Sequence, residues 1–167
     1  MSICLILLAA GNSKRFSHKI PKPFIKVAGR TILELSLLKF KNISQIKNII
    51  VVTNKKHQKF IKTIKSQKFI KMIGGNTRQE STLKALRYIK RNKIKCSKVL
   101  IHDSARPNFS LQLIKRILSK SKKNTVVPKI PVNDALKIKL NKNELSNLTR
   151  EKFFLTQTPQ SFNFKEI

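Results

Sequence analysis

Four short clusters along this chain combine small residues with groups that carry charge or hydrogen bonds. The first runs from Leu7 to Phe16 (LLAAGNSKRF) and is followed by Pro21-Lys22-Pro23. Small side chains after an apolar run let backbone N–H groups approach an anionic or planar ligand closely. Lys14, Arg15 and Lys22 would then neutralise phosphates. The segment is not a Walker loop, nor is it GxGxxG, since Gly11 is its one glycine. Read alone, it equally describes a tight strand–helix turn flanked by surface lysines.

The second cluster is Gly74 to Ser81 (GGNTRQES). Its glycines free the backbone, and it leads into a helix whose N-terminal amides favour a negative or polar group. A glycine turn with a Thr77 or Ser81 cap is the plainer reading. The third is His102 to Pro107 (HDSARP). The chain has seven acidic residues: Glu34, Glu80, Asp103, Asp134, Glu144, Glu151 and Glu166. Of these, Asp103 directly follows an apolar run and lies inside a polar loop. A hard cation such as Mg²⁺ needs a carboxylate with room for waters and phosphate oxygens, which makes Asp103 the candidate metal ligand. The alternative is an Asp that caps the next turn or pairs with Arg106. His102 reads better as a hydrogen-bonded residue at a strand end than as a catalyst. His18 and His57 have no partner legible in the sequence. The fourth cluster, Thr156 to Phe162 (TQTPQSF), is polar, holds a proline and is bracketed by Phe154 and Phe162.

The elements that must position these clusters follow from hydrophobic periodicity. Continuous apolar runs at Ile3 to Leu8, Asn48 to Thr53 and Val99 to His102 predict strands buried on both faces. A shorter strand is expected at Phe69 to Ile73. Thr31 to Phe40 has helical spacing, with Thr31 and Glu34 in a capping-box pattern. Lysine-rich Lys56 to Lys65, Gln79 to Arg91 and Leu111 to Leu118 also predict helices. In Gln79 to Arg91 the apolar side is expected to carry Leu83, Leu86 and Ile89 or Ile94. Thr125 to Pro128 is strand-like. Ala135 to Leu140 alternates as a half-exposed strand before a turn at Asn141 to Asn143, which predicts a hairpin arm. Alternating strands and helices imply an α/β fold, a Rossmann-like, mostly parallel sheet flanked by helices. Ligands in such sheets bind outside the carboxyl ends of the strands, where the first three clusters fall. Residues 1–167 read as one domain, without internal repeat or linker.

The composition narrows the classes further. Lys plus Arg is 37 and Asp plus Glu is 7 in 167 residues, a formal net charge of +30. That balance suits a nucleic-acid binder. However, the lysines are spread over the whole length, and arginine, the better bidentate reader of phosphate, is scarce. Lys, Ile, Asn and Phe are inflated together, the pattern of an A- and T-rich coding bias, so no specific nucleic acid is expected. No apolar run reaches the ~18–20 residues of a membrane span, and the opening run lacks the basic lead-in of a signal peptide. Cys4 and Cys96 are the only cysteines, with no CxxC pair, which suits a reducing cytoplasm.

In this order and spacing, LAAGNSKRF with PKPF, GGNTRQES, HDSARP and TQTPQSF resemble the 2-C-methyl-D-erythritol 4-phosphate cytidylyltransferases of the non-mevalonate isoprenoid pathway. The resemblance spans nearly the whole chain. QTPQ is shared with the ribitol-5-phosphate cytidylyltransferases, which makes a ribitol-5-phosphate or other sugar-phosphate enzyme the alternative. A basic nucleic-acid-binding module and a noncatalytic remnant are the alternatives of other classes. The resemblance implies the nucleotide-diphospho-sugar transferase type of fold with a protruding β-arm, and transfer of a cytidylyl group from CTP with Mg²⁺. It implies that Ala9, Ala10 and Gly11 line the cytosine nucleotide by backbone contact. Arg15 and Lys22 would hold the triphosphate and stabilise the pentacoordinate phosphorus. Gly75, Asn76 and Ser81 would contact base and ribose, with Ser104 nearby, and Asp103 would ligate Mg²⁺. Arg106, Arg150 and Thr158 would bind methylerythritol phosphate, together with position 135. The arm, Asp134 to Arg150, would cross to a second subunit of a homodimer, so that Arg150 acts in the other copy's site.

The chain departs from the family pattern in two places. Ala135 stands where family members commonly have Thr. The chain also stops at Ile167, whereas the family continues for roughly another 60 residues, which would add the closing strands and helix. A second metal-binding Asp and a further catalytic Lys of that part have no counterpart here.

Overall fold

The computed structural model describes residues 1–11, 20–64, 68–122, 124–142 and 144–167. Strand β1 (Ile3–Ala9) is flanked by β4 (Ile46–Thr53) and β6 (Lys98–Asp103), both parallel to it. β5 (Ile70–Ile73) adds in parallel beyond β4, and β11 (Gln160–Asn163) pairs antiparallel with β6. The sheet order is therefore β11-β6-β1-β4-β5. It is the mostly parallel sheet that the strand–helix alternation implied.

Period-2 alternation sorts β1 onto two faces. Ile3, Leu5, Leu7 and Ala9 pack with α1 (Ile32–Lys41) and α4 (Leu111–Lys120) through Leu33, Leu37, Phe40, Ile114 and Ile117. Cys4 and Ile6 face α3 (Arg78–Arg91) through Ala85 and Ile89. Helices on both faces explain why the strand is apolar throughout. The expected capping box closes the start of α1: Glu34 N donates to Thr31 Oγ1 at 3.2 Å, and Thr31 N donates to Glu34 Oε2 at 2.8 Å.

Three expectations change. The lysine-rich segment is a 3₁₀ turn, Lys55–His57, opening a short α2 (Gln58–Lys62). Asn54 Oδ1 accepts from Lys56 N at 2.9 Å and starts the turn there, one residue early, while residues 65–67 lie outside the described part. The buried stripe of α3 is Ser81, Ala85 and Ile89, and Leu83 is 45% exposed. Small side chains at i and i+4 bring that helix close to the sheet, which turns the Leu83 side outward. In the strand-like Thr125 to Pro128, the structure retains a single bridge, Val126 to Ser161.

The remaining pairings are local. β2 (Lys26–Val27) and β3 (Arg30–Thr31) form a hairpin before α1. β7 (Lys129–Pro131) pairs with β10 (Phe154–Thr156), and these frame the arm. The arm is the antiparallel hairpin of β8 (Leu136–Lys139) and β9 (Leu145–Leu148), as the alternation predicted. Among the described residues no helix is long and apolar enough to cross a membrane.

Candidate active site at the carboxyl ends of the sheet

The described parts of the first three clusters meet at one end of the sheet because parallel strands deliver their carboxyl ends together, and the fourth joins them from the amino end of the antiparallel β11. Ala9 ends β1, and Ala10 and Gly11 lead away from it. The β5 turn is pressed directly against this segment. A Cβ on Gly74 would lie 2.6 Å from Ser81 Oγ, 2.9 Å from Val52 Cγ1 and 3.0 Å from Ala10 Cβ. Only a residue without a side chain lets the two loops approach so far. Gly74→Ala is expected to push Ala10 and Ser81 outward and to destabilise the fold by about 1–3 kcal/mol through overpacking. Thermal unfolding and a CTP titration would check it, with both stability and affinity falling.

Hydrogen bonds hold the second loop in place. Gly75 N donates to Ser81 Oγ at 3.0 Å, Asn76 N donates to Glu80 Oε2 at 2.8 Å, and Lys84 Nζ donates to the Gly74 carbonyl at 2.9 Å. Thr77 caps α3, accepting from Glu80 N at 3.0 Å. The plain reading of this cluster as a glycine turn plus cap is therefore correct for Thr77. Ser81 is buried and bonded to its own loop, whereas Asn76 is exposed.

Asp103 is the electrostatic centre. Arg78 Nε donates to its Oδ1 at 3.0 Å, and Arg106 Nε lies 3.4 Å from its Oδ2. Arg106 also donates to Gln157 Oε1 at 2.8 Å, which joins the third cluster to the fourth. Ser104 Oγ donates to the Leu8 carbonyl at 2.7 Å, and Ser36 Oγ donates to the Ser104 carbonyl at 2.9 Å. These bonds fix the β6 loop on β1.

Behind Asp103 runs a buried polar chain. His102 Nε2 faces the Arg106 carbonyl at 3.1 Å, so that nitrogen carries the proton. Nδ1 then accepts from Thr158 Oγ1 at 2.9 Å, and Thr158 Oγ1 accepts from Asp103 N at 3.3 Å. Burial pushes the imidazole down to about 4, against the opposing pull of the Asp103 charge. His102 is thus neutral near pH 7. Its ring packs among Phe40 and Phe109, with centroids 5.4 and 4.7 Å away. Its expected role as a hydrogen-bonded strand-end residue agrees with this geometry. Thr158 is buried, and its hydroxyl is engaged by His102 and Asp103.

Lys22 is exposed on the 3₁₀ turn Lys22–Phe24, which Phe24 anchors by stacking on Phe60 at 5.4 Å. Phe24 also meets the buried His57 edge-on at 5.8 Å. Burial lowers the His57 pKa, while a hydrogen bond to the Ala9 backbone opposes it. Phe24 is thus a partner that the sequence did not show, while His57 Nδ1 is buried without a hydrogen-bond partner among the described residues. Arg15, Lys14 and His18 lie outside the described residues. Arg150 and Ala135 are placed apart from this cluster: Arg150 bonds to the Asn133 carbonyl at 2.6 Å and to Glu151 at 3.2 Å, and Ala135 is exposed beside β8.

The sequence reading missed Arg78 and Gln157 as site residues, although both lie inside quoted clusters. Neither could be assigned to Asp103 or Arg106 without the fold. No group of three or more His, Cys, Asp and Glu able to hold a metal exists among the described residues. Asp103 nevertheless suits a cation shared with phosphates. Its side chain is 26% exposed, and each oxygen keeps a lone pair beyond its arginine.

The sequence model described as IspD, 2-C-methyl-D-erythritol 4-phosphate cytidylyltransferase, matches residues 3–167. The chain is 43% identical over 168 residues to a protein named bifunctional enzyme IspD/IspF from Pelagibacter ubique, covering 100% of this chain and 44% of that protein. It is 31% identical over 161 residues to a 2-C-methyl-D-erythritol 4-phosphate cytidylyltransferase from Thermotoga neapolitana, covering 95% and 72%. Among solved structures, the 4-diphosphocytidyl-2C-methyl-D-erythritol synthase of Anaerococcus prevotii aligns with a TM-score of 0.81 and 28% identity, covering 99% of this chain and 71% of that one. The bifunctional IspDF of Campylobacter jejuni aligns at 0.80 and 31%, covering 99% and 42%.

Proposed function

Since the chain belongs to the 2-C-methyl-D-erythritol 4-phosphate cytidylyltransferase family, we propose that it joins CTP and 2-C-methyl-D-erythritol 4-phosphate, releasing pyrophosphate. The observation that carries this reading is the convergence of Asp103, Arg78 and Arg106 beside the Ala10–Gly74 contact. Such a site has the features that joining two anions requires: backbone that a nucleotide can approach, cations for phosphates and one carboxylate for a metal.

The substrate phosphate oxygen attacks the α-phosphorus of CTP as the bond to pyrophosphate breaks. No covalent nucleophile is required, so the protein acts by positioning and charge neutralisation. The Ala9-Ala10-Gly11 backbone and the Gly75–Asn76 turn take the nucleotide. Lys22, with Arg15, holds the triphosphate and the charge of the transition state. Arg106 takes the phosphate of the second substrate, oriented by Gln157 and Asp103. Thr158 acts through His102 and the Asp103 backbone, which its hydroxyl holds. Asp103 would hold Mg²⁺, and the ion, when bound, offsets negative charge on the phosphates.

Assembly belongs to the same proposal. The arm exposes Ile138, Leu140 and Leu145, and Phe153, Phe154 and Leu155 are exposed at its base. Apolar area of this kind supports a homodimer in which Arg150 of one copy serves the site of the other. A cytoplasmic location fits two free cysteines.

The chain spans 44% of the Pelagibacter relative, so its own turnover is the first measurement. Pyrophosphate release with CTP, Mg²⁺ and methylerythritol phosphate is expected, with ribitol phosphate inert. Release with ribitol phosphate alone would change the substrate, and release with neither would overturn activity of this chain by itself. Lys22→Ala is expected to weaken CTP binding by about 10- to 100-fold, as loss of a charge-assisted phosphate contact does. Unchanged binding would remove Lys22 from the site.

A further inference from the structure

One buried ring joins the two loops that the second substrate would meet. His102 is 0% exposed, so its imidazole can act on a ligand only through other residues. It packs against Phe40 and Phe109, whose own rings lie 4.9 Å apart, and Lys39 Nζ holds Phe109 in place by donating to its carbonyl at 2.7 Å. A ring locked by packing points its two nitrogens in fixed directions. An apolar side chain would fill this space without burying a polar group, so packing alone does not call for a histidine.

Both nitrogens are used. Nε2 donates to the Arg106 carbonyl at 3.1 Å, four residues along the loop after β6. Nδ1 accepts from Thr158 Oγ1 at 2.9 Å, 56 residues away in the loop between β10 and β11. Each of these partners is tied in turn to Asp103. Thr158 Oγ1 accepts from Asp103 N at 3.3 Å, and Arg106 N donates to the Asp103 carbonyl at 3.0 Å. The loop of Gly74 to Ser81, on the nucleotide side, is held instead by its own bonds to Ser81, Glu80 and Lys84.

We propose that His102 is a positioning residue for the second substrate: its ring sets the Arg106 turn and the Thr158 loop at a fixed distance from each other. This rests on the reading that Arg106 takes the phosphate of methylerythritol phosphate. His102 therefore governs affinity for that substrate and leaves affinity for CTP alone.

Two variants separate the two bonds. In His102→Asn the amide falls near the place of Nδ1, where it meets Thr158 and cannot reach the Arg106 carbonyl. In His102→Gln the longer amide takes the place of Nε2 and leaves Thr158 without its partner. Amide hydrogen exchange of the full chain, without ligand, reads the positioning directly. His102→Gln is expected to speed exchange at Asp103 N–H by about 10-fold and to spare Arg106 N–H, and His102→Asn to do the reverse. Loss at both amides in both variants, or at neither, would make His102 a packing residue and overturn the proposal. Should both variants fail to fold, Thr158→Val breaks the Nδ1 bond from the other side, with exchange expected to rise at Asp103 N–H and not at Arg106 N–H. Kinetics supply the second readout. KM for methylerythritol phosphate is expected to rise about 5- to 10-fold in each His102 variant, with CTP affinity within about twofold of wild type. An equal loss of affinity for both substrates would overturn the proposal. A wild-type chain that releases no pyrophosphate would defeat the reading of its activity, and the exchange pattern would still decide whether the ring sets the two loops.

Discussion

Asp103→Asn is expected to lower turnover by about 100- to 1,000-fold, the range seen when one preorganised electrostatic group is removed from a transition state. Stability should change far less. Its two arginine partners are about half exposed, at 47% and 51% of the side chain. Exposed ion pairs contribute only about 0–1 kcal/mol each. The substitution keeps the size of the side chain and the Asp103 backbone bond to Thr158. It removes the negative charge that would hold the cation, and it frees Arg78 and Arg106 to engage phosphates as unbalanced positive groups. Pyrophosphate release and thermal unfolding, measured on the same preparation, separate the two effects. A drop in unfolding midpoint that parallels the drop in turnover would make Asp103 a structural residue. Full turnover would remove it from the chemistry.

His102 should make the fold acid-sensitive well above the range in which carboxylates titrate. Its pKa falls from 6.5 to about 4 on folding, chiefly through burial. Below pH 6.5 the unfolded chain gains a proton that the folded chain refuses, so stability falls as the pH drops and levels off near 4. Above 6.5 both states are neutral and the contribution is complete. A shift of this size corresponds to about 3 kcal/mol, or roughly 10 °C in unfolding midpoint for a chain of this length. His57, also lowered by burial, adds in the same direction. His102→Gln should flatten the dependence by the His102 share, with His57 supplying what remains. An unfolding midpoint that is flat in the wild type between pH 6.5 and 4.5 would show that the His102–Thr158 bond does not hold a neutral imidazole.

That bond also shows why parts of the site were legible in the sequence and others were not. The clusters GGNTRQES and HDSARP could be placed at strand ends because each follows an apolar run and the runs alternate with helical spacing. Asp103 stood out because acids are rare and this one ends such a run. The capping box at Thr31 and Glu34 was legible because its partners are three residues apart. Lysine count, by contrast, said little about partners, since the lysines follow composition and not position.

Other features depend on contacts between segments far apart in the chain. Arg78 reaches Asp103 across 25 residues, Arg106 reaches Gln157 across 51, and Thr158 reaches His102 across 56. Local spacing has no term for such pairs, because the sheet order that makes them neighbours is set by packing. For the same reason Leu83 was expected inward and turned outward: helical period defines several stripes, and the small residues Ser81 and Ala85 chose the one nearest the sheet. Gly74 reads in the sequence as turn freedom, yet its requirement is the approach of Ala10, just past β1, and of Val52 in β4. Lys98 reads as one lysine among many, and only the fold shows that this residue, at the start of β6, is 3% exposed. The sequence by itself determined the class of fold, the four clusters and the family, because local periodicity and short motifs carry them. The tertiary structure alone decided which charges meet, since that depends on which strands lie side by side.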